Sequence, residues 1–132
     1  RMSEDQADLG LIKLSIVHAA VERRQFIGYL WQNAIGEALQ PHTYDADNTF
    51  YSAAWPYDGD WIKLYQEFVA RGGDGFYAAP KVAYQEPALS GRWSVYCPVA
   101  EALQKSLVCF KTHQTIEQAQ EQADILARLI HG

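Results

Sequence analysis

The side chains best equipped for chemistry gather between Phe76 and Tyr96, where Tyr77, Lys81, Tyr84, Gln85, Glu86 and Trp93 occur in one irregular stretch. Phenol and indole faces stack on sugars or bases, while an amine and an amide fix polar groups, so this set suits a small polar ligand. Tyr77, Lys81, Tyr84, Gln85 and Trp93 are accordingly the candidate ligand-binding residues. A catalytic constellation does not emerge from them. No two carboxylates are tied to a cleft by spacing, and no G-x-S-x-G elbow presents a serine. His18, His42, His113 and His131 lack the i, i+4 spacing or the cysteine pairs of a zinc centre. The expectation is therefore no catalytic residue and no metal site.

Three further features invite chemistry and read more simply as structure. Gly72-Gly73-Asp74-Gly75 could let backbone amides approach a phosphate, but the glycines follow a helix instead of opening one, and Asp74 would repel the anion. A helix C-cap followed by a turn is the expected form. Cys97 and Cys109 have no C-x-x-C spacing and read as small buried apolar groups in a reducing compartment. Arg23 lies on an apolar helical stripe between Ile16 and Ile27, and is expected to bury its stem and carry its charge to the surface, or to pair with a core carboxylate.

Composition narrows the classes. The chain has 132 residues, 48% of them hydrophobic, enough for one domain with a real core. A net charge of -5, with no basic run longer than Arg23-Arg24, argues against nucleic acid as a partner. No apolar run approaches the roughly 18 to 20 residues that span a bilayer, so no membrane association is expected and a cytoplasmic location is the default. Aromatic residues make up 13% and concentrate from Phe50 to Tyr96, where most should fill the core; Trp55 and Trp61 fall on periodic buried faces.

The elements that must position these residues follow from periodicity. From Ser3 to about Leu39 the apolar residues keep helical period, with Leu9, Ile12, Ile16, Ala19, Ala20, Ile27, Leu30 and Trp31 on a stripe expected to build the core. Ser3 and Gln6 form a capping-box pattern at its start. A second stripe, Ala7, Leu11, Leu14, His18 and Val21, lies on nearly the opposite side at ~100° per residue, which a solvent-facing helix would not need. These five are the candidate interface. Asn48 to Trp55 alternates like a strand, Asp60 caps a helix running from Trp61, Phe76 to Ala79 reads as a short strand, and Pro98 opens a helix to about Lys105. Leu107 to Lys111 reads as a strand, and Thr115 with Gln118 caps a last helix whose inner stripe is Ala119, Ala123, Leu126 and Ile130. Glu117, Glu121 and Asp124 form its solvated face. The order αβαβαβα predicts an α/β fold of α+β type: a small, mainly antiparallel sheet of about three strands covered by helices. One domain is expected over residues 1–132, with the long helix in 1–39 and the sheet and remaining helices in 47–132.

Three segments carry a family resemblance. Arg1 to Gly10 running into the long helix, Gly72-Gly73-Asp74-Gly75-Phe76-Tyr77-Ala78-Ala79-Pro80-Lys81 with Glu86-Pro87, and Tyr96-Cys97-Pro98-Val99-Ala100-Glu101 leading to Leu107-Val108-Cys109-Phe110-Lys111-Thr112 together resemble the small C-terminal domain of DegT/StrS-type sugar aminotransferases. The resemblance implies that the large domain, with the lysine that holds pyridoxal phosphate, would precede Arg1. It also implies that this chain alone carries no cofactor and does not transaminate. The implied partners are a second copy or the missing catalytic domain. The chain would be a non-catalytic domain assembling through its first helix, or part of a complete vitamin-B6-dependent enzyme, or a module keeping a sugar-nucleotide-like ligand. Many relatives carry a histidine in a proline-flanked motif where this chain has Ala83-Tyr84-Gln85-Glu86-Pro87, so a sugar- or phosphate-binding histidine is not carried over.

Overall fold

The computed structural model describes residues 3–36, 47–74, 76–78, 81–89, 91–92 and 96–132, with residues 77 and 78 described in their backbone only. Among the described residues the α-helices and strands follow the expected order: α1 (Glu4–Ile35), β1 (Ala53–Pro56), α2 (Trp61–Ala70), β2 (Phe76–Ala78), α3 (Pro98–Ser106), β3 (Leu107–Phe110) and α4 (Ile116–His131). The strands form one antiparallel sheet in the order β1-β3-β2, an α+β fold with a long N-terminal helix.

Register places the core. Ala53 and Phe76 both pair with Phe110, and Trp55 pairs with Val108, so these five side chains share one face of the sheet. Phe110 is the hub of that face. It stacks on Trp31 of α1 at 4.7 Å, and the rings of Phe76 and Trp55 lie 5.5 and 5.9 Å away. Phe68 of α2 completes the cluster against Phe76, and the Trp31 indole N–H is satisfied by the Lys111 carbonyl at 2.9 Å. From α4, Ala119, Ala123 and Leu126 are buried as periodicity predicts, while Glu117, Glu121 and Asp124 face solvent.

Local capping explains why the helices begin where they do. Ser3 with Gln6, and Thr115 with Gln118, make reciprocal capping boxes, and the Asp60 carboxylate accepts from the amides of Ile62 and Lys63. Gly36, at φ 59, ends α1 before the expected Leu39; residues 37–39 lie outside the described residues.

Several expectations are corrected. The main stripe of α1 builds the core only in its last third: Ile27, Trp31, Ala34 and Ile35 are buried, but Leu9, Ile12, Ile16 and Ala19 are exposed. The reason is reach. The first buried residue of the helix is Ile27; the segment Glu4–Phe26, about 35 Å long, holds no fully buried side chain, and half-burial clusters only at its end, at Ala20, Val21, Arg24 and Gln25. The first strand begins at Ala53, five residues later than its alternation suggests. Phe50 holds φ 45, the left-handed region closed to a strand, fixed there by the Asn48 side chain on its amide and the Thr112 hydroxyl on its carbonyl. Cys97 is exposed, not buried, because it precedes α3 at the surface; Cys109 is buried on β3. Trp61, on the first turn of α2, is only half-buried.

Candidate functional site

Two regions compete for a functional role, the Lys81–Leu89 loop and the outer half of α1. The loop folds as a 3-10 turn over Ala83–Gln85 and is tied down by α3. Gln104 accepts from the Val82 amide at 2.8 Å, and the Tyr84 hydroxyl donates to Glu101 while accepting from the Cys97 amide at 3.2 Å. Tyr84 is thus a structural clasp between the loop and the start of α3. Its phenol is pushed above the ordinary value, first by the hydrogen bond it donates to the Glu101 carboxylate and then by desolvation. Deprotonation would set two negative oxygens against each other.

The candidate ligand residues fare unequally. Lys81 and Gln85 are exposed, Tyr84 is half-buried and engaged, Tyr77 is described only as the backbone partner of Cys109, and Trp93 lies outside the described residues. Two shallow depressions among the described residues lie elsewhere. One, of about 360 Å³, is lined by Arg71, Ile125 and Arg128, and the other, of about 340 Å³, by Tyr57, Asp60, Lys63, Leu64, Glu67 and Leu129. Among the described residues no three His, Cys, Asp or Glu side chains converge as metal ligands. Lys13, Lys63, Lys81 and Lys105 are exposed, and Lys111 is half-buried and paired with Asp74 at 2.7 Å.

The glycine turn after α2 is a structural knot. Gly72 takes φ 87, the Gly73 amide returns to Phe68, and Asp74 is held by the Lys111 ammonium, the Gln114 side chain and the Gln122 side chain. Lys111 answers the charge that would have repelled an anion. Gln122 and Glu101 escaped the sequence reading. Gln122 sits beside Ala119 and Ala123 on the inner stripe of α4, a polar residue at a core position that could have flagged it. Glu101 lies 17 residues from Tyr84, at no spacing that announces contact.

The outer half of α1 shows the larger anomaly. Leu11 and Leu14 are 66% exposed, and Leu9, Ile12 and Ile16 on the other flank are 52%, 63% and 59% exposed. Of the candidate interface, Leu11, Leu14 and His18 are exposed, while Ala7 and Val21 are half-buried. Arg23 is exposed as well, with no ion-pair partner among the described residues, where the pairs are His18–Glu22, Lys63–Glu67 and Lys111–Asp74. No helix among the described residues is long and apolar enough to cross a membrane. Set against family models, curated proteins and solved structures, the chain matches none of them.

Proposed function

We propose that the chain is a non-catalytic assembly domain, related to the small domain of DegT/StrS-type sugar aminotransferases, whose N-terminal helix is enclosed by neighbouring protein. The observation that carries this reading is the outer half of α1, apolar on two opposite flanks, with Leu9, Ile12 and Ile16 exposed on one and Leu11 and Leu14 on the other. Each large apolar side chain there would gain roughly 1–2 kcal/mol on completing its burial, and six of them gain a sum of the same order as the freedom lost on association. Lipid is a poor alternative occupant. A helix lying on a membrane surface carries a basic polar face, whereas here Glu4, Asp5, Asp8 and Glu22 outnumber Lys13, Arg23 and Arg24.

Replacing Leu11 and Leu14 together by glutamate tests the reading. Sedimentation should show the wild-type oligomer converting to monomer or to insoluble chain; an unchanged, well-folded oligomer refutes this flank. The second flank equally suits a catalytic domain carried on the same polypeptide. In that case an upstream reading frame encoding a cofactor lysine makes the chain part of a transaminase. The two free cysteines, without a disulfide framework, support a cytoplasmic setting.

A further inference from the structure

Asp5, Leu9, Ile12, Ile16, Ala19 and Arg23 occupy one line along the outer half of α1, separated by steps of four, three, four, three and four residues. That alternation is the a/d spacing of a coiled-coil seam. It also reads the same in both directions. A second helix laid antiparallel therefore meets it in register at every position, with Leu9 opposite Ala19 and Ile12 opposite Ile16. At each end an aspartate then faces an arginine.

From this self-complementarity we infer that the Leu9–Ile12–Ile16 flank of α1 is a two-fold, antiparallel contact with a second copy of this chain. The inference rests on the reading that α1 is enclosed by protein, and it names the occupant of one flank. Charge decides both partner and direction. In the antiparallel pair Asp5 meets the partner's Arg23 twice, whereas a parallel pair would set Asp5 against Asp5 and Arg23 against Arg23 inside the same seam. All six residues are exposed, and neither Asp5 nor Arg23 has an ion-pair partner of its own among the described residues. Arg23, an oddity on an apolar stripe of a single chain, becomes the closing charge of a seam. The rim acts the other way, since Asp8 would flank the partner's Glu22 and Lys13 its own copy. Those charges stand in solvent, where screening leaves them little weight. The paired span also ends before Ile27, where the buried part of α1 begins. The opposite flank, with Ala7 and Val21 near its ends, has no such acid and base and selects no direction.

Cysteine cross-linking in the full chain, in a Cys97→Ser background because Cys97 is exposed, tests the geometry. Under mild oxidation the double variant Leu9→Cys/Ala19→Cys should form a covalent dimer, and Leu9→Cys alone should not. Self-cross-linking of Leu9→Cys alone, or no dimer from the double variant, overturns the antiparallel seam. Charge reversal gives an independent readout: Asp5→Arg or Arg23→Asp singly should weaken self-association by about tenfold or more, and the two together should restore it. Unchanged association in both single variants overturns the proposal even if all of them fold. Loss of assembly in the Leu11/Leu14 glutamate variant without cross-linking at Leu9 and Ala19 removes this seam and leaves the broader reading standing. Cross-linking with an unaffected glutamate variant keeps this seam, and with it the enclosure of α1 by protein, and removes only the Leu11 and Leu14 flank.

Discussion

Gly28 decides between two physical effects of opposite sign. It lies in the buried part of α1, where exchanging glycine for alanine gains about 1 kcal/mol in helix propensity and lowers the entropy of the unfolded chain. A Cβ there would, however, stand 2.4 Å from Cγ of Phe50 and 2.5 and 2.6 Å from the two Cδ atoms. Ordinary carbon contacts lie at about 3.5–4.0 Å, so the ring must move by about an ångström. It has little room to do so. Phe50 is buried, the Tyr29 ring meets it edge-on at 5.5 Å, and its backbone is pinned by Asn48 and Thr112 in a left-handed conformation. Over-packing of this kind costs about 1–3 kcal/mol, and a rigid neighbour puts the cost near the upper end. Net of propensity, Gly28→Ala should destabilise by about 2 kcal/mol, lowering Tm by roughly 6–10 °C in a chain of this size. Thermal and urea unfolding measure it. Combining the change with Phe50→Leu should cost less than the two single changes added, because the smaller side chain relieves the clash. A higher Tm for Gly28→Ala, or strict additivity in the double variant, would refute the packing argument. Gly10, with no atom within 4 Å of its virtual Cβ, is the control: alanine there should only favour the helix.

Native thiol titration should show one fast-reacting group, Cys97, and a second that reacts only on unfolding, since Cys109 is buried and burial pushes its thiol up; two fast thiols would contradict the sheet geometry. Thr115→Ala removes the acceptor for the Gln118 amide and should cost about 1 kcal/mol in urea unfolding, with no loss expected only if α4 frays at its first turn. The Tyr84 phenol, raised in the folded state, contributes stability that is fully present below its ordinary value and is lost as pH climbs through the folded one. The gap in urea midpoint between wild type and Tyr84→Phe should therefore shrink as pH rises past about 10; a constant or widening gap would remove Glu101 as the cause.

Those parts of the fold encoded in short windows were legible. Capping boxes at Ser3 and Thr115, the Asp60 cap and Pro98 at the first turn of α3 fix helix starts through groups three residues apart or fewer, and no distant contact overrides them. The start of β1 was not legible. Alternation from Asn48 onward continues through Phe50, but the left-handed turn there depends on the Thr112 hydroxyl, 62 residues away. The Tyr84–Glu101 clasp is equally non-local, and it takes one of the five candidate ligand residues into the scaffold. Periodicity identified both apolar flanks of α1 but could not say how far the body extends along them. A stripe records which residues share a side, and burial depends on what stands opposite.

The two parts of α1 make that distinction concrete. From Ile27 to Ile35 the helix is fastened by Trp31 on Phe110, by Gly28 against Phe50, and at its end by His131 on the Ala34 carbonyl. From Glu4 to Ala19 the contacts seen among the described residues are local: the Ser3 cap, two acids in the first turn, and the exposed His18–Glu22 pair that begins there. Against these stand Gly10 and the β-branched Ile12, Ile16, Val17 and Val21, all poorer helix formers than leucine or alanine. Most of a helix's stability in a protein comes from packing an apolar face, and one displaying Leu9, Leu11, Ile12, Leu14, Ile16, Val17 and Phe26 gains little from them until something covers them. Local signals therefore specify the outer helix, and the proposed enclosure by a neighbour would add the burial that its apolar side chains lack. Under the proposed assembly, folding of this segment and association would be one equilibrium, and a substitution that weakens either flank should loosen the helix as well as the assembly.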